Sequence, residues 1–399
     1  MGWHCGDSRR GDRRGEYGKA VVSRIALAGL ILLGAGRSEA ASPSERAGPE
    51  PARLASIVER GAGYLTEHGQ AEDGSFSGFT GSGITALATT ALLRSGRTAN
   101  DPAVARGLEY LEKCVQPEGG IHGERSRLAN YETCVAMLCL SEANGDGRYD
   151  DILKKAEARV RGLQWDETKG KDESDFSYGG VGYGDKSRPD LSNTSFLLDA
   201  LKACGAKSDD KAIQKALVFV SRCQNLETEH NTTPFAAKIN DGGFYYTCTL
   251  SRMDEERQTP DGGLRSYGTM GYAGLKSMIY AGLTEDDPRL NAALGWIRKN
   301  YDLKQNPGMG TAGLYYYYHT FAKAMDTFGD DYFEDASGVK HDWRKELTEE
   351  LASRQQPNGS WVNENRRWFE TDPNLVTAYS LLALSYCRPA EKRAEMPPK

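Results

Sequence analysis

The sequence predicts an all-α protein in which six inner and six outer helices close into a ring. Helical apolar periodicity runs from residue 51 of the 399-residue chain almost to its end, and the helices arrive in pairs of unequal polarity. A glycine-rich segment with a recurring text separates several of the paired helices. We expect the ring to occupy residues 53–388, after a leader at 1–40 and a linker at 41–52, and before a tail at 389–399.

The first helix of each pair is amphipathic, which is typical of an outer helix with one face in solvent. These helices are predicted at Leu54–Glu67, Ala103–Gln116, Ile152–Gln164, Lys211–Gln224, Arg289–Tyr301 and Trp343–Gln355. The second helix is more apolar and richer in small residues, as expected of an element that is buried on most sides. These helices are predicted at Gly83–Ser95, Tyr131–Ala143, Ser192–Cys204, Thr269–Ala281, Ala312–Thr327 and Pro373–Cys387.

Capping residues support these boundaries. Asp-Pro pairs at 101–102, 287–288 and 372–373 place a capping aspartate before proline at the first helical position. Gly96, Gly205, Gly282 and Gly329 follow second helices, where a left-handed residue commonly ends the helix.

The recurring text is Q-x-x-x-G-x-aromatic, at Gln70–Phe76 and again at Gln355–Trp361. A shortened copy lies at Gln116–Ile121, and only the turn remains at Asp241–Phe244 and Asp261–Leu264. We expect the glutamine to bond unpaired backbone groups at helix ends, the glycine to permit the turn and the aromatic to pack on the next repeat. The first and last repeats carry the clearest copies, which favours a closed ring over an open solenoid with polar end caps.

This text and the paired helices resemble the prenyltransferase and squalene-cyclase repeat of terpenoid cyclases and protein prenyltransferases. The resemblance covers residues 53–388. It implies a closed (α/α)6 toroid whose inner helices surround a cavity that holds an isoprenoid. An isoprenoid or another elongated apolar small molecule is therefore the expected partner, and a peripheral contact with a membrane stays open.

The resemblance locates one candidate catalytic residue, Asp190. Squalene-hopene-type cyclases carry D-x-D-D-T at the start of an inner helix, and the matching stretch here is residues 190–194, which read D-L-S-N-T. Asp190 matches the first acid, whereas Ser192 stands at the position of the proton donor and Asn193 replaces the last acid. Protonating an alkene requires a strongly acidic, preorganised carboxylic acid. We therefore expect no cyclisation by this route, and Asp190 is alternatively a helix cap.

A second candidate catalytic residue is His319. Protein prenyltransferase β subunits bind zinc through Asp, Cys and His, and the segment Tyr317–Thr320 resembles the one that carries their histidine. The Asp-x-Cys partner expected near Leu264–Gly271 is missing, and a catalytic zinc site needs three protein ligands. We therefore expect no metal and no other cofactor, with His319 as a polar group of the cavity wall.

Polar side chains near the predicted starts of inner helices are the candidate substrate-binding residues. They are Tyr131, Asn193, Tyr267, Tyr316 and Trp368, which we expect to line one pocket together with His319. Helix N-termini that point inward would favour an anionic or electron-rich ligand group there.

These residues are compatible with three different functions. Aromatic faces stabilise carbocations and also stack on sugars. The chain is accordingly an isoprenoid-handling protein, a glycan-active or glycan-binding ring, or a non-catalytic scaffold. Lys and Arg number 50 against 56 acids without a long basic block, which argues against nucleic-acid binding as the main activity.

The first forty residues predict export to the periplasm or the extracellular space. A basic leader with Arg9, Arg13 and Lys19 precedes an apolar run at Ile25–Gly36, and small residues follow at 38–40. The run is too short to span a bilayer comfortably, so we expect a signal peptide, with an uncleaved anchor as the alternative. One of eight cysteines lies in this leader, and we expect the others to be mostly buried free thiols.

Overall fold

Helices make up nearly all the regular structure in the computed structural model, which describes residues 47–250 and 258–388. The outer set consists of α1 (Pro51–Tyr64), α3 (Pro102–Lys113), α5 (Asp150–Arg161), α7 (Lys211–Arg222), α10 (Pro288–Lys299) and α12 (Trp343–Arg354). The inner set consists of α2 (Gly83–Arg94), α4 (Ala129–Glu142), α6 (Leu191–Ala203), α9 (Gly268–Tyr280), α11 (Leu314–Phe328) and α13 (Pro373–Ser385). The predicted all-α class is confirmed, and all twelve predicted helices are present within a few residues of their expected ends.

The remaining elements are short. They are a four-residue helix α8 (Ala236–Ile239), a hairpin of β1 (Phe333–Glu334) with β2 (Lys340–His341), a π-helical turn at Leu65–Gly69 and 3₁₀ turns at Gly78–Thr80, Glu167–Lys169 and Arg367–Phe369. The predicted leader at 1–40 and tail at 389–399 lie outside the described residues. Within the described ranges no helix is both long and apolar enough to cross a bilayer.

Burial separates the two sets of helices as their polarity predicts. In α9 every residue from Gly268 to Met278 is buried. By contrast, α5 buries only Leu153, Ala156 and Val160, which recur at intervals of three and four residues on one face.

The inner helices contact one another in chain order. α2 packs on α4, α4 on α6, α6 on α9, α9 on α11 and α11 on α13, and α13 then packs on α2. The outer helices lie against them, with α3 on α2, α5 on α4, α7 on α6, α10 on α9, α12 on α11 and α1 on α13. The apolar core therefore lies between the outer and inner helices and among the inner helices themselves.

The repeated glutamine joins several repeats to the ones that follow them. Gln70 Nε2 donates to the carbonyl oxygen of Gly74 in its own turn (3.0 Å) and to that of Ala103 in α3 (2.8 Å). Gln355 Nε2 likewise donates to Gly359 O (2.9 Å) and to Ile57 O in α1 (3.0 Å). The expectation that this side chain satisfies backbone carbonyls is confirmed, and the last copy reaches the first outer helix.

Two further copies were hidden in the sequence by long insertions. Gln164 Nε2 donates to Gly179 O (2.8 Å) and Ala212 O (2.9 Å), and Gln224 Nε2 donates to Gly242 O (2.9 Å) and Arg289 O (2.8 Å). The shortened copy differs, because the Gln116 amide bonds only Cys114 O and His122 O within its own repeat.

The motif glycine and aromatic residue have packing roles. Gly359 has φ +89°, and a Cβ there would lie 2.3 Å from the Arg60 carbonyl oxygen of α1, so only glycine fits. The Trp361 ring is fully buried, and its backbone N–H donates to Thr377 Oγ1 in α13 (3.1 Å). This last turn is thus bound to α13, the inner helix that follows it.

The seven described cysteines are free thiols, as the sequence predicts. Five are buried and two, Cys114 and Cys204, are partly exposed.

Candidate functional site

Four inner helices bring aromatic rings together in the interior. The Tyr131 ring lies 5.0 Å from that of Phe196, Phe196 stacks 6.0 Å from Tyr316, and Tyr316 lies 5.6 Å from Tyr379. The hydroxyl groups of Tyr131 and Tyr379 are 3.3 Å apart. We call these four residues, from α4, α6, α11 and α13, the aromatic cluster.

Ser192 faces this cluster. Ser192 lies in the first turn of α6, and its Oγ is 2.8 Å from the hydroxyl oxygen of Tyr316 in α11. The position that matches a cyclase proton donor therefore holds a hydroxyl–hydroxyl pair, which cannot supply a strongly acidic proton.

Asp190 caps α6. Its Oδ1 accepts from the Asn193 backbone N–H and its Oδ2 from the Asn193 side-chain amide, both at 2.8 Å. The carboxyl group is 2% exposed, and burial raises its pKa to about 6, against the lowering effect of these hydrogen bonds and one from Tyr246. A raised pKa makes Asp190 a weaker acid than an ordinary aspartic acid.

The other substrate-binding candidates lie at different depths. Asn193 is buried as the partner of Asp190, and Tyr267 is buried at the N-cap of α9. Burial raises the pKa of Tyr316, and Tyr267 adds to that rise. Trp368 is 44% exposed, and its indole lies beside Gly313 at the start of α11, at the surface rather than in the aromatic cluster.

The N-termini of the inner helices are satisfied by the chain's own acceptors. Glu370 Oε1 accepts from the backbone N–H groups of Tyr315 (3.1 Å) and Tyr316 (2.8 Å) of α11. Other side chains accept from backbone N–H groups at four more inner-helix starts. The acceptor and donor pairs are Glu132 with Ser82 at α2, Asp190 with Asn193 at α6, Asn306 with Thr269 at α9 and Asp372 with Asn374 at α13. Carboxylates already occupy most of these positive helix ends, and the expectation that the ends favour an anionic or electron-rich ligand group stays a prediction.

A second group of polar side chains lies toward the C-terminal ends of the inner helices. Lys276 Nζ of α9 lies 2.6 Å from Asp199 Oδ2 of α6, and Lys323 Nζ of α11 lies 2.9 Å from Asp199 Oδ1. The side chains of Lys276 and Asp199 are each 3% exposed. We call Asp199, Lys276 and Lys323 the lysine–aspartate triad.

An ion pair borders the triad. Arg94 Nη2, at the end of α2, lies 3.0 Å from Glu142 Oε2, and Arg94 Nη1 donates to the Tyr386 hydroxyl at 2.8 Å. The guanidinium of Arg388 also contacts the carbonyl oxygen of Arg94. Positive charge is therefore concentrated at this end of the interior.

His319 lies between the aromatic cluster and the triad. Its ring stacks 5.7 Å from that of Tyr379, and its buried Nδ1 has no hydrogen-bond partner among the described residues. Burial, and then the positive charge of Lys323, lowers the pKa of His319 well below its usual range, so the imidazole is neutral at pH 7.

Two small pockets share His319, Phe196 and Lys323 in their walls, with cavity volumes of about 10 Å³ and 20 Å³, room for roughly one water molecule each. The smaller is lined by Ser195, Phe196, Asp199, Lys276, Tyr316, His319, Thr320 and Lys323, which joins the aromatic cluster to the triad. The larger extends toward Arg94 and Tyr386.

No metal-binding group of three His, Cys, Asp or Glu side chains is present in residues 47–250 and 258–388. The charged side chains that affect the pKa of His319 most are Lys323, Asp199 and Lys276, and only Asp199 among these three is an acid. The expectation of no zinc stays a prediction.

The triad was not predicted from the sequence. Its signal was a charged residue between small or apolar neighbours in each of three inner helices, as in the Leu197–Leu201 segment around Asp199. A buried charge in such a helix must find a partner, which is a reason to look for one on neighbouring helices.

Comparison with known proteins adds a family and two solved structures. The family model of the squalene-hopene cyclase C-terminal domain matches residues 64–253. A type II terpene cyclase, MstE from Scytonema, has a similar fold in a variant that holds geranylgeranyl dihydroxybenzoate as substrate. That match has a TM-score of 0.50 and 12% sequence identity, and covers 84% of this chain and 97% of the other. A ligand-free MstE variant also matches with a TM-score of 0.50, at 14% identity over 84% and 96% of the two chains. No curated protein matches the sequence.

Proposed function

We propose that this chain, whose residues 64–253 match the squalene-hopene cyclase C-terminal domain and whose fold resembles that of a type II terpene cyclase, binds an isoprenoid-type ligand within its inner helices. The observation that carries the proposal is the aromatic cluster of Tyr131, Phe196, Tyr316 and Tyr379, of which Phe196 and Tyr316 line small pockets in the interior. Aromatic rings offer a large apolar surface to a branched hydrocarbon chain. The substrate of the similar cyclase carries a geranylgeranyl chain, and we extend that ligand class to this protein.

A closed (α/α)6 toroid is the architecture we propose around this cavity. The contacts of α13 with α2 and of α1 with α13 support it, as does the hydrogen bond from Gln355 to Ile57. In this architecture the inner helices enclose the ligand, and the outer helices shield them from solvent.

We propose ligand binding without cyclisation by the D-x-D-D route. Ser192 and Asn193 stand where that route needs acids, and Asp190 is held as a helix cap by both of its oxygens. Burial, which raises the pKa of Asp190 to about 6, further weakens it as a donor to an alkene.

One experiment tests binding and chemistry together. The purified protein is extracted with organic solvent for mass spectrometry of bound lipids, and separately incubated with squalene and with geranylgeraniol. We expect geranylgeraniol to bind and no polycyclic product to form. Polycyclic product that is lost in Asp190→Asn would overturn the non-cyclising proposal. Binding of oligosaccharides, with no isoprenoid binding, would favour the glycan alternative.

We also propose that the protein is exported, on the basis of the basic leader and apolar run within residues 1–40. Fractionation of cells that express the chain with a C-terminal tag, followed by N-terminal sequencing, tests this proposal. An unprocessed protein in the cytoplasmic fraction would contradict it.

A further inference from the structure

The lysine–aspartate triad leaves one positive charge without a counter-charge of its own. Lys276 and Lys323 both pair with the carboxylate of Asp199, at 2.6 and 2.9 Å. The neighbouring pair of Arg94 and Glu142 is balanced, and Arg388 beside it adds a further cation. In the described part of the chain this end of the interior is therefore cationic.

Such a surplus is unfavourable in a buried site. Burial lowers the pKa of Lys276 to about 8 and lowers the pKa of Lys323 as well, against the attraction of Asp199. The C-terminal ends of the inner helices supply partial negative charge that offsets part of the cost. A bound anion would offset it more fully, because a lysine hydrogen-bonded to an anion is a strong pair away from water.

The triad also lines a small pocket in the interior, of about 10 Å³, which a ligand would have to widen. All three of its side chains line the smaller pocket, together with the hydroxyl-bearing residues Ser195 and Thr320. The unpartnered Nδ1 of His319, a residue that is 7% exposed, lies in the wall of the same pocket. Phe196, at the opposite side, belongs to the aromatic cluster.

We propose that the ligand carries an anionic head group, a carboxylate or a phosphate, which binds Lys276 and Lys323 while its apolar chain extends past Phe196 into the aromatic cluster. This assigns the head group to the C-terminal ends of the inner helices, opposite the end where Asp190 caps α6. The inference rests on the proposed isoprenoid-binding function and adds the chemical class of the ligand.

Ligands with one hydrocarbon chain and three head groups test the proposal. Geranylgeranoic acid, geranylgeranyl monophosphate and neutral geranylgeraniol are titrated into the full chain by calorimetry. Inorganic phosphate and benzoate are titrated as anions without the chain. We expect at least one of the two anionic lipids to bind roughly ten- to a hundredfold more tightly than the alcohol, since a hydrogen-bonded charge contributes on that scale. The tighter of the two identifies the head group.

Three variants assign the difference to the triad. Lys323→Met removes one cation of similar length and leaves Asp199 paired with Lys276. We expect this variant to remove most of the preference for the anionic lipid, and Lys323→Arg to keep most of it. Lys202→Met is the matched control. Lys202 lies at the end of α6, where its ammonium group is over the Tyr280 ring of α9, and it does not line the pocket. Circular dichroism and thermal melting report whether each variant folds.

The outcomes separate the two proposals. Equal binding of all three lipids would overturn the anion subsite and leave isoprenoid binding intact. Binding of phosphate or benzoate that requires Lys323, with no lipid binding, would overturn isoprenoid binding and leave the anion subsite. If nothing binds, both are wrong. If Lys323→Met folds and keeps the full preference, the assignment to the triad is wrong.

Discussion

Burial controls the protonation of Asp190, and this gives a prediction at the scale of one residue. Its folded-state pKa of about 6 lies above the value of about 4 expected in the unfolded chain. Its contribution to stability is therefore fully present below pH 4 and is lost as the pH rises through 6. Since each pKa unit corresponds to about 1.4 kcal/mol, ionisation costs the folded state roughly 3 kcal/mol.

We expect Asp190→Asn to reduce the fall in the free energy of unfolding between pH 4 and pH 7 by up to about 3 kcal/mol. Urea denaturation at a series of pH values measures it. Asp287→Asn is a control of opposite sign. A hydrogen bond from Arg289 lowers the pKa of Asp287, so the stability it contributes is lost as the pH falls. Parallel pH profiles for Asp190→Asn and the parent protein would contradict the prediction.

A second residue-scale prediction concerns the ring of Tyr316. It stacks on Phe196 and meets Tyr379, so Tyr316→Leu should weaken isoprenoid binding by roughly two- to tenfold, the scale of one aromatic contact. Tyr316→Phe keeps the ring and loses only the hydroxyl that meets Ser192, and is expected to bind within about twofold of the parent. Both are compared by titration with geranylgeraniol. Equal loss in both variants would show that the hydroxyl, not the ring, matters.

The third prediction is that the purified protein holds no stoichiometric zinc. His319 is the candidate ligand, but its charged neighbours include two lysines and one aspartate, and cations nearby oppose a divalent ion. Elemental analysis after dialysis measures the metal content. One zinc per chain that is absent from His319→Ala would show that the histidine binds metal after all.

Part of the candidate site could be predicted from sequence. Tyr131 and Tyr316 were identified because helix periodicity located the starts of inner helices, and Asp190 because the family text placed it. The lysine–aspartate triad could not be predicted in this way. Asp199 and Lys276 are 77 residues apart in sequence, and only the packing of α6 on α9 brings them together. Trp368 was misjudged for a local reason: its left-handed backbone, with φ +55°, belongs to a surface turn.

At the scale of elements, helix boundaries were predictable and the full number of motif copies was not. Asp372 caps α13 as the Asp-Pro signal indicates, accepting from the N–H groups of Asn374 and Leu375. The copies at Gln164 and Gln224 were overlooked because 14 residues separate the first from its glycine, Gly179, and 17 separate the second from Gly242. Hydrogen bonding, rather than spacing, defines the motif.

These bonds predict unequal effects of glutamine substitutions. Gln224 is 1% exposed, and its amide joins two buried carbonyls of different repeats, so Gln224→Ala should lower the free energy of unfolding by about 2–4 kcal/mol. Gln116→Ala is the matched control, since its amide bonds only its own repeat and its side chain is partly exposed. We expect a loss of about 1 kcal/mol there. Urea denaturation of both variants at one pH tests the difference, which an equal loss would refute.

At the scale of the whole molecule, we expect the last helix pair to be indispensable. In a closed ring, removing residues 343–388 uncovers an apolar face of α2 and another of α11, because α13 packs on both. Truncation should therefore abolish cooperative unfolding and expose surface that binds a hydrophobic dye. The truncated chain is compared with the full chain by urea denaturation and dye fluorescence. A sharp transition with native helix content in the truncated chain would indicate an open solenoid instead.

The contact between α2 and α13 also has a consequence for biosynthesis. About 290 residues separate the starts of these helices, Gly83 and Pro373. At translation rates of roughly 5–20 residues per second, α2 leaves the ribosome roughly 15–60 seconds before its last neighbour. During that interval the face of α2 that α13 covers has no native partner, although α3 and α4 can already pack on its other faces. We therefore expect the nascent chain to expose this apolar face until the last repeat is made, and slower translation of the later repeats to lengthen that exposure.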